Sequence, residues 1–248
     1  MGVREAQVSD VEAMAALAEA KRQHYRDHAA PFQRPAPNGR EVHEGFLPKL
    51  LAWDGFTVLV HEGGGEVDGF IVSRVGSAPP PYGEGSWFHV DDFAVSEPSL
   101  WRSVGGELLR EAIRRAHEAG IEQAIVVSGP PSIDEAKVTF LLGAGLHVDA
   151  EWRVKSLTPN PGNPPGDPQG FEAVIAPAPP VYDPGGVTAL ALSIEPGAVE
   201  RFEEFASASG AVVGIVPVRI SEKALRAELD QRDFVLASEW YSGPVAAL

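Results

Sequence analysis

The chain has 248 residues and a formal charge of −15, from 20 Lys+Arg against 35 Asp+Glu. That length suits about one to two domains. A hydrophobic fraction of 44% with a mean hydropathy of −0.07 excludes a disordered chain, and the absence of cysteine excludes disulfides, thiolate metal sites and cysteine nucleophiles.

The first element is a short strand near Arg4. Ser9-Asp10 then cap a helix, with Glu12 in its first turn and Val11, Met14, Leu17 and Ala18 at helical spacing. Pro31 to Asn38 holds three prolines and reads as a loop. Residues 40–53 predict a second helix with Pro48 as a kink. Strands follow over Phe56–His61 and Val67–Val75, joined by the glycine-rich residues 62–66. Residues 77–85 are a loop, 86–95 a strand, and 103–119 a helix with Leu108, Leu109, Ile113 and Ala116 on one face. Gly120 stops it. Ile121–Ser128 reads as a strand covered on both faces, Asp134–Ala144 as a helix closed by Gly145, and His147–Leu157 as a strand.

Thr158–Gly170 carries five prolines and three glycines in 13 residues and reads as a linker. It divides the chain into residues 1–157 and 171–248. The second part repeats the first at a constant offset of 88, with Leu141 over Leu229, Leu146 over Phe234, and Glu151-Trp152 over Glu239-Trp240. Gly197–Ser207 and Ala211–Val218 match the helix and strand that precede this stretch in the first part. The tail is therefore a partial copy, expected to extend or cover the first sheet or to shape the acceptor side. The recurrence of Glu-Trp in both copies favours a structural role for it.

The segment Asp91 to Leu109 carries the chemistry. A strand ends at Val95, a short connection follows, and a turn with Ser103 and Gly105 opens a helix. Small residues admit a ligand to the backbone, and free N–H groups at a helix start suit a phosphate. Arg102 adds a charged donor. No Gly-Lys-Ser/Thr follows, so this is no Walker loop, and the G-x-G-x-x-G spacing is absent.

With Val95 ten positions before Gly105 and Leu108-Leu109 opening the helix, this segment resembles the GNAT superfamily of acyl-CoA-dependent N-acetyltransferases. That family has Arg/Gln-x-x-Gly-x-Gly/Ala here. Leu100 stands on its Arg/Gln position, Ser103 on the first glycine and Gly105 on the second, so two positions depart. The element order over residues 1–157 also matches. The resemblance implies an α+β fold, layered α/β/α on a mixed central sheet, with acetyl-CoA as co-substrate and no metal. It implies that backbone groups of Phe93, Ala94 and Val95 hold the pantetheine arm. Amides of Leu100, Trp101, Arg102, Ser103, Val104, Gly105 and Gly106 would hold the pyrophosphate. Counting back from Gly145-Leu146, Asp134 stands on the family's Asn position and Leu141 on its Tyr position. The acid that protonates the leaving thiolate is thus missing, and Tyr82 or a water would replace it.

Aminolysis of a thioester needs a neutral amine, a route for its proton and a polarised carbonyl. Polyamine-type members of the family have an acidic pair where this chain has Asp91-Asp92. Alternation along a strand lets one of the two face an acceptor. His89 shares a face with Asp91 and has a suitable titration range, against a structural reading as a satisfied histidine. His24, Tyr25 and His28 lie at the acceptor mouth that the resemblance implies. They are equally readable as surface residues, and the i, i+4 pair His24/His28 lacks a third metal ligand. Trp53, Trp87 and Trp101 read as core or rim residues.

The expectation is an N-acetyltransferase acting on a primary amine of a small cationic acceptor, which the acidic charge favours, by direct transfer. The alternative is a non-catalytic CoA-binding or regulatory protein of the same fold. The second copy has Glu195 where a phosphate would sit, so a second cofactor site is not expected. The pI of about 4.8 argues against nucleic acid. Without a membrane-length apolar run or an apolar leader core, a cytoplasmic monomer or homodimer is expected.

Overall fold

In the computed structural model, residues 2–26, 31–80, 82, 84–162 and 169–247 are described. The first copy runs β1 (Gly2–Glu5), α1 (Val11–Tyr25), α2 (Gly39–Leu51), β2 (Phe56–Gly63), β3 (Glu66–Ser77), β4 (Ser86–Val95), α3 (Gly106–Glu118), β5 (Gln123–Ser128), α4 (Pro131–Gly143) and β6 (His147–Ser156). The second runs β7 (Phe171–Pro177), β8 (Val187–Ile194), α5 (Val199–Ala208), β9 (Val213–Arg219), α6 (Lys223–Gln231) and β10 (Val235–Pro244). Pro48 sits inside α2.

All ten strands form one mixed sheet in the order β1-β2-β3-β4-β5-β10-β6-β9-β8-β7. Only β4–β5 and β8–β9 are parallel. The tail extends the sheet, as expected, and it also interleaves with it. β10 inserts between β5 and β6, while β6 pairs with β9. Each copy's last strand thus completes the other copy's sheet. Glu151 pairs directly with Glu239, the residues that the offset of 88 equates, so a pseudo-two-fold axis passes between them. The offset does not hold throughout. Glu239 pairs with Ser128 and Glu151 with Val218, which equates Ser128 with Val218, ninety positions on.

The helices form two layers. Leu59, Ile71, Phe88, Val90 and Phe93 face α3 and α4 in one core. Met14, Ala18, Leu47 and Leu50 of α1 and α2 cover Val58, Val60, Phe70, Val72 and Ala94 on the opposite face. Both α3 and α4 lie on the same side as α5 and α6. Tyr241 of β10 packs against the α3/α4 core, and its hydroxyl donates to Glu239 at 2.5 Å. The ladder partner of Glu239, Glu151, receives Arg226 of α6 at 2.8 Å. The result is the expected α/β/α layering on a mixed sheet.

Part of the proline-rich segment is held: Asn160 N–H donates to the Ser207 carbonyl at 2.9 Å and Gly162 N–H to the Ala208 carbonyl at 3.2 Å. Residues 163–168 lie outside the described residues.

Candidate functional site

The site begins with an irregularity in β4. Val72 of β3 pairs with Asp92 and Ser73 pairs with Val90, so Asp91 is an extra residue with no partner. This β-bulge bends the strand. On its other edge β4 pairs with β5 at Phe88, His89 and Val90 only. Beyond that rung the two strands diverge, and the β5-facing edge of residues 91–95 is outside any ladder. The bulge also corrects the alternation argument. Asp91 and Asp92 both line one cavity of about 110 Å³, together with Lys21, Arg22, Tyr25, Val127, Ser128, Gly129, Lys137, Tyr182 and Ser238.

The cavity is rich in paired charge. Lys21 of α1 bonds Asp92. Burial pulls the Asp92 carboxyl upward, yet Lys21 and His43 hold it below its ordinary value. Burial likewise works against the Lys21 ammonium, and Asp92 outweighs it, so that lysine stays raised. Asp91 accepts from Arg74 Nε at 2.6 Å, but loss of water raises its carboxyl despite that guanidinium. Lys137 of α4 is 3% exposed. Its Nζ donates to the Val127 carbonyl at 2.9 Å and stands 5.9 Å and 5.5 Å from the ring centroids of Phe93 and Trp101. Burial drives its ammonium down to about 8, against the pull of Asp134. Ser128 Oγ is buried and has no hydrogen-bond partner among the described residues.

A second cavity of about 200 Å³ adjoins on the other side of Tyr25, against Ala94, Val95, Ser96, Pro98, Trp101 and Asp134. Tyr25 donates to Asp134, and His24 Nε2 meets the Ile133 carbonyl at 2.7 Å. These contacts tie the end of α1 to the start of α4, where Asp134 breaks helical geometry at φ −127° and ψ 47°. His28 lies outside the described residues.

The bend after β4 differs from the expectation of an open, amide-lined turn. Glu97 is extended and Pro98 opens a 3-10 turn over Pro98–Leu100. A π-turn over Trp101–Gly105 follows and leads straight into α3. Proline is preset for a first helical position, so the helix starts eight residues before α3 proper. The amides of Leu100, Trp101 and Gly106 donate to the carbonyls of Glu97, Pro98 and Ser103, so they are used within the chain. A Cβ on Gly105 would lie 2.8 Å from Trp101 Cε3. That glycine serves close packing of the indole, which stacks on Phe140 at 5.7 Å and meets Phe93 edge-on at 4.8 Å. Val104 is buried, while Arg102 and Ser103 are exposed. Outside this aromatic stack, a groove of about 410 Å³ runs between α3 and α4, lined by Arg102, Gly106, Arg110, Thr139 and Phe140. Neither arginine has an acidic partner among the described residues.

The second copy contrasts with this. The N–H groups of Gly197 and Val199 at the start of α5 donate to the Glu228 carboxylate of α6, at 2.5 Å and 3.2 Å. A carboxylate of the chain itself fills that anion seat.

His89 stays apart from the cavity. Its Nε2 meets the Ser77 carbonyl at 3.0 Å, and burial lowers its titration. Tyr82 is also remote, stacked on Trp240 at 5.9 Å. Trp87 is half-buried and Trp53 is 57% exposed, stacked on Phe56. Sequence reasoning missed Lys21, Arg22, Lys137, Tyr182 and Ser238. The signal for Arg22 and Lys137 was a charge on an apolar helical stripe, after Met14 and Ala18 and before Leu141. For Tyr182 and Ser238 no local signal existed. No group of three or more metal-ligating side chains occurs among the described residues, and no helix there is long and apolar enough to cross a membrane.

No protein-family profile and no curated protein sequence matches the chain. Solved structures do. A tandem GNAT protein from the clavulanic acid biosynthesis pathway superposes with a TM-score of 0.53 at 12% identity, covering 98% of both chains. A candidate acetyltransferase from Thermoplasma acidophilum gives 0.58 at 12% identity, over 98% of this chain and 100% of that one. A mutant Bacillus halodurans protein gives 0.51 at 17% identity, over 59% of this chain and 93% of that one. The chain has the GNAT fold in tandem form.

Proposed function

We propose that the protein is an acyl-CoA-dependent N-acetyltransferase, moving an acetyl group from acetyl-CoA to the primary amine of a small acceptor. One observation carries this reading: the bulge at Asp91 opens β4 from β5 directly beside a cavity lined by two carboxylates and two lysines. Extended chains add to such unpaired strand edges through backbone bonds, and the pantetheine arm is one. The diphosphate end lies in the outer groove, where the Arg102 and Arg110 side chains would hold it. Residues 1–157 form the catalytic unit, and 171–248 complete its sheet. The acceptor amine enters on the α1 side, beside Asp91 and Asp92, which Arg74 and Lys21 hold in place. The neutral amine attacks the thioester carbon, and binding the two reactants side by side supplies much of the acceleration.

A second reading, a non-catalytic member of this fold, is favoured by the Trp101–Phe140 stack. Phe140 lines the outer groove and Trp101 the cavity beside Val95, so the stacked pair stands between the two. Turnover requires those rings to part. Two measurements decide: calorimetry with acetyl-CoA, and thiol release across a panel of amines, amino acids and polyamines. Saturable binding that Arg102→Glu weakens, with release that Asp92→Asn abolishes, supports the transferase. Binding without release supports the second reading, and no binding sinks both.

A further inference from the structure

We propose that Lys137 is the acid that protonates the departing thiolate of the acyl donor. The assignment rests on the transferase reading above and supplies the proton that Leu141 cannot give. Lys137 stands one helical turn before Leu141 on the same buried stripe of α4. Its ammonium lies in the wedge between β4 and β5. It is bonded to the carbonyl of Val127, the first β5 residue beyond the last rung with β4. Any donor arm that follows the open edge of β4 passes this nitrogen.

Ser128 Oγ is unpartnered here, but a hydroxyl is not an acid at ordinary pH, and the phenols and the second lysine at the cavity are held. Tyr25 O–H donates a hydrogen bond to Asp134, and burial with that carboxylate holds the phenol high. Lys21 is locked to Asp92. Burial raises Tyr182 as well. Lys137 alone gives up a proton near 8, which suits an acid at ordinary pH. The charged and titratable groups around it are Asp134 on its own helix, Asp91 and Asp92 on β4, Lys21, Arg22 and Tyr25 on α1, and Tyr182, with the hydroxyls of Ser128 and Ser238.

The step balances. The acceptor nitrogen forms a bond to the carbonyl carbon, and the carbon–sulfur bond breaks with its electron pair left on sulfur. Lys137 Nζ delivers a proton to that sulfur, giving the free thiol. The now neutral lysine recovers the proton that the acylated nitrogen sheds, by way of water in the cavity. Acyl thioester and amine become amide and thiol, with nothing else consumed.

The test compares thiol release from acetyl-CoA by wild type, Lys137→Met and Lys137→Arg, in parallel with acetyl-CoA binding. Arginine keeps a cation but does not release its proton. Both variants are expected to bind acetyl-CoA while kcat falls on the order of 10²–10⁴-fold, with the alkaline limb of kcat near 8 lost. Because the chain has no cysteine, Lys137→Cys can be aminoethylated at one site alone. Comparison before and after alkylation separates chemistry from folding, and return of activity is expected. If wild type turns over while Lys137→Arg keeps its kcat and pH limb, or alkylation restores nothing, Lys137 is not the acid and the transferase reading stands. If wild type releases no thiol with any amine, both fall.

Discussion

Replacement of Glu228 tests whether the second copy's anion seat is closed by the chain itself. The carboxylate accepts from two N–H groups that the first turn of α5 leaves without a helical partner. A hydrogen bond to a charged group contributes about 1.5–3 kcal/mol, and a charge at a helix N-terminus about 0.3–1 kcal/mol. Glu228 is half-buried, so water replaces part of what alanine removes. Glu228→Ala therefore costs about 1.5–2.5 kcal/mol, close to the upper range of lost helix caps. At about 2–4 °C per kcal/mol for a chain of this size, Tm falls by about 3–10 °C. Glu228→Gln keeps one acceptor oxygen and loses the charge, so it falls about half as far. The assay is thermal unfolding followed by circular dichroism at neutral pH. The exposed, unpaired Glu204 (as Glu204→Gln) is the control, and the series is repeated in about 0.5 M salt, where the charge contribution shrinks. An unchanged Tm for Glu228→Ala, or a glutamine variant as unstable as alanine, refutes the argument.

Two further outcomes follow from the buried groups. Burial, opposed by the Tyr241 hydroxyl and assisted by Glu151, raises Glu239 above its ordinary value near 4.5. The folded state then holds a proton that the unfolded chain releases, so stability falls as pH rises from that ordinary value through the raised folded one. Glu239→Gln removes this loss. Its advantage over wild type in urea midpoint should be absent in acid, grow through that window and level off above it; a gap that narrows with rising pH contradicts the assignment. A Cβ on Gly69 of β3 would lie 2.6 Å from Val104 Cγ1 and 3.3 Å from the Ala94 carbonyl oxygen. Gly69→Ala should cost about 1–3 kcal/mol by overpacking in chemical denaturation, and Val104→Ala in the same chain should recover part of it. Simple additivity of the two substitutions would show that the contact is absent.

Much of this architecture is legible in the residues. Periodicity places α1, α3 and the strands, and the repeat announces a second copy. The helix start after β4 was legible too: Glu97-Pro98-Ser99 has the proline of a first helical position. The resemblance, through Ser103 and Gly105, drew attention to a later turn. The bulge at Asp91 was not legible, because it is a mismatch with Val72 and Ser73 on another strand, and a single strand's alternation cannot reveal it. The insertion of β10 between β5 and β6 was hidden for the same reason. Pairing between strands more than eighty residues apart leaves no trace in local pattern, whereas a lysine on the apolar stripe before Leu141 does.

Where the two copies correspond, they differ at the approach of the fourth or sixth helix to the helix start facing it. In the second copy Glu228 reaches across and satisfies that start with a carboxylate. In the first, Phe140 and Trp101 meet there and leave Arg102 and Arg110 open to the groove. A start already holding a carboxylate disfavours a phosphate, so the transferase proposal places the acyl donor in the first copy. Yet that copy does not stand alone. Ser238 of β10 and Tyr182, from the connection before β8, line its cavity, and β10 occupies the edge of β5 that carries Val127 and Ser128. Without the tail, β5 and β6 would each expose an unpaired edge, and the cavity would lose a wall. On the transferase proposal the tail's contribution is geometric: β10 pairs with β5 while β4 bends away from it, and the proposed site lies between those two strands.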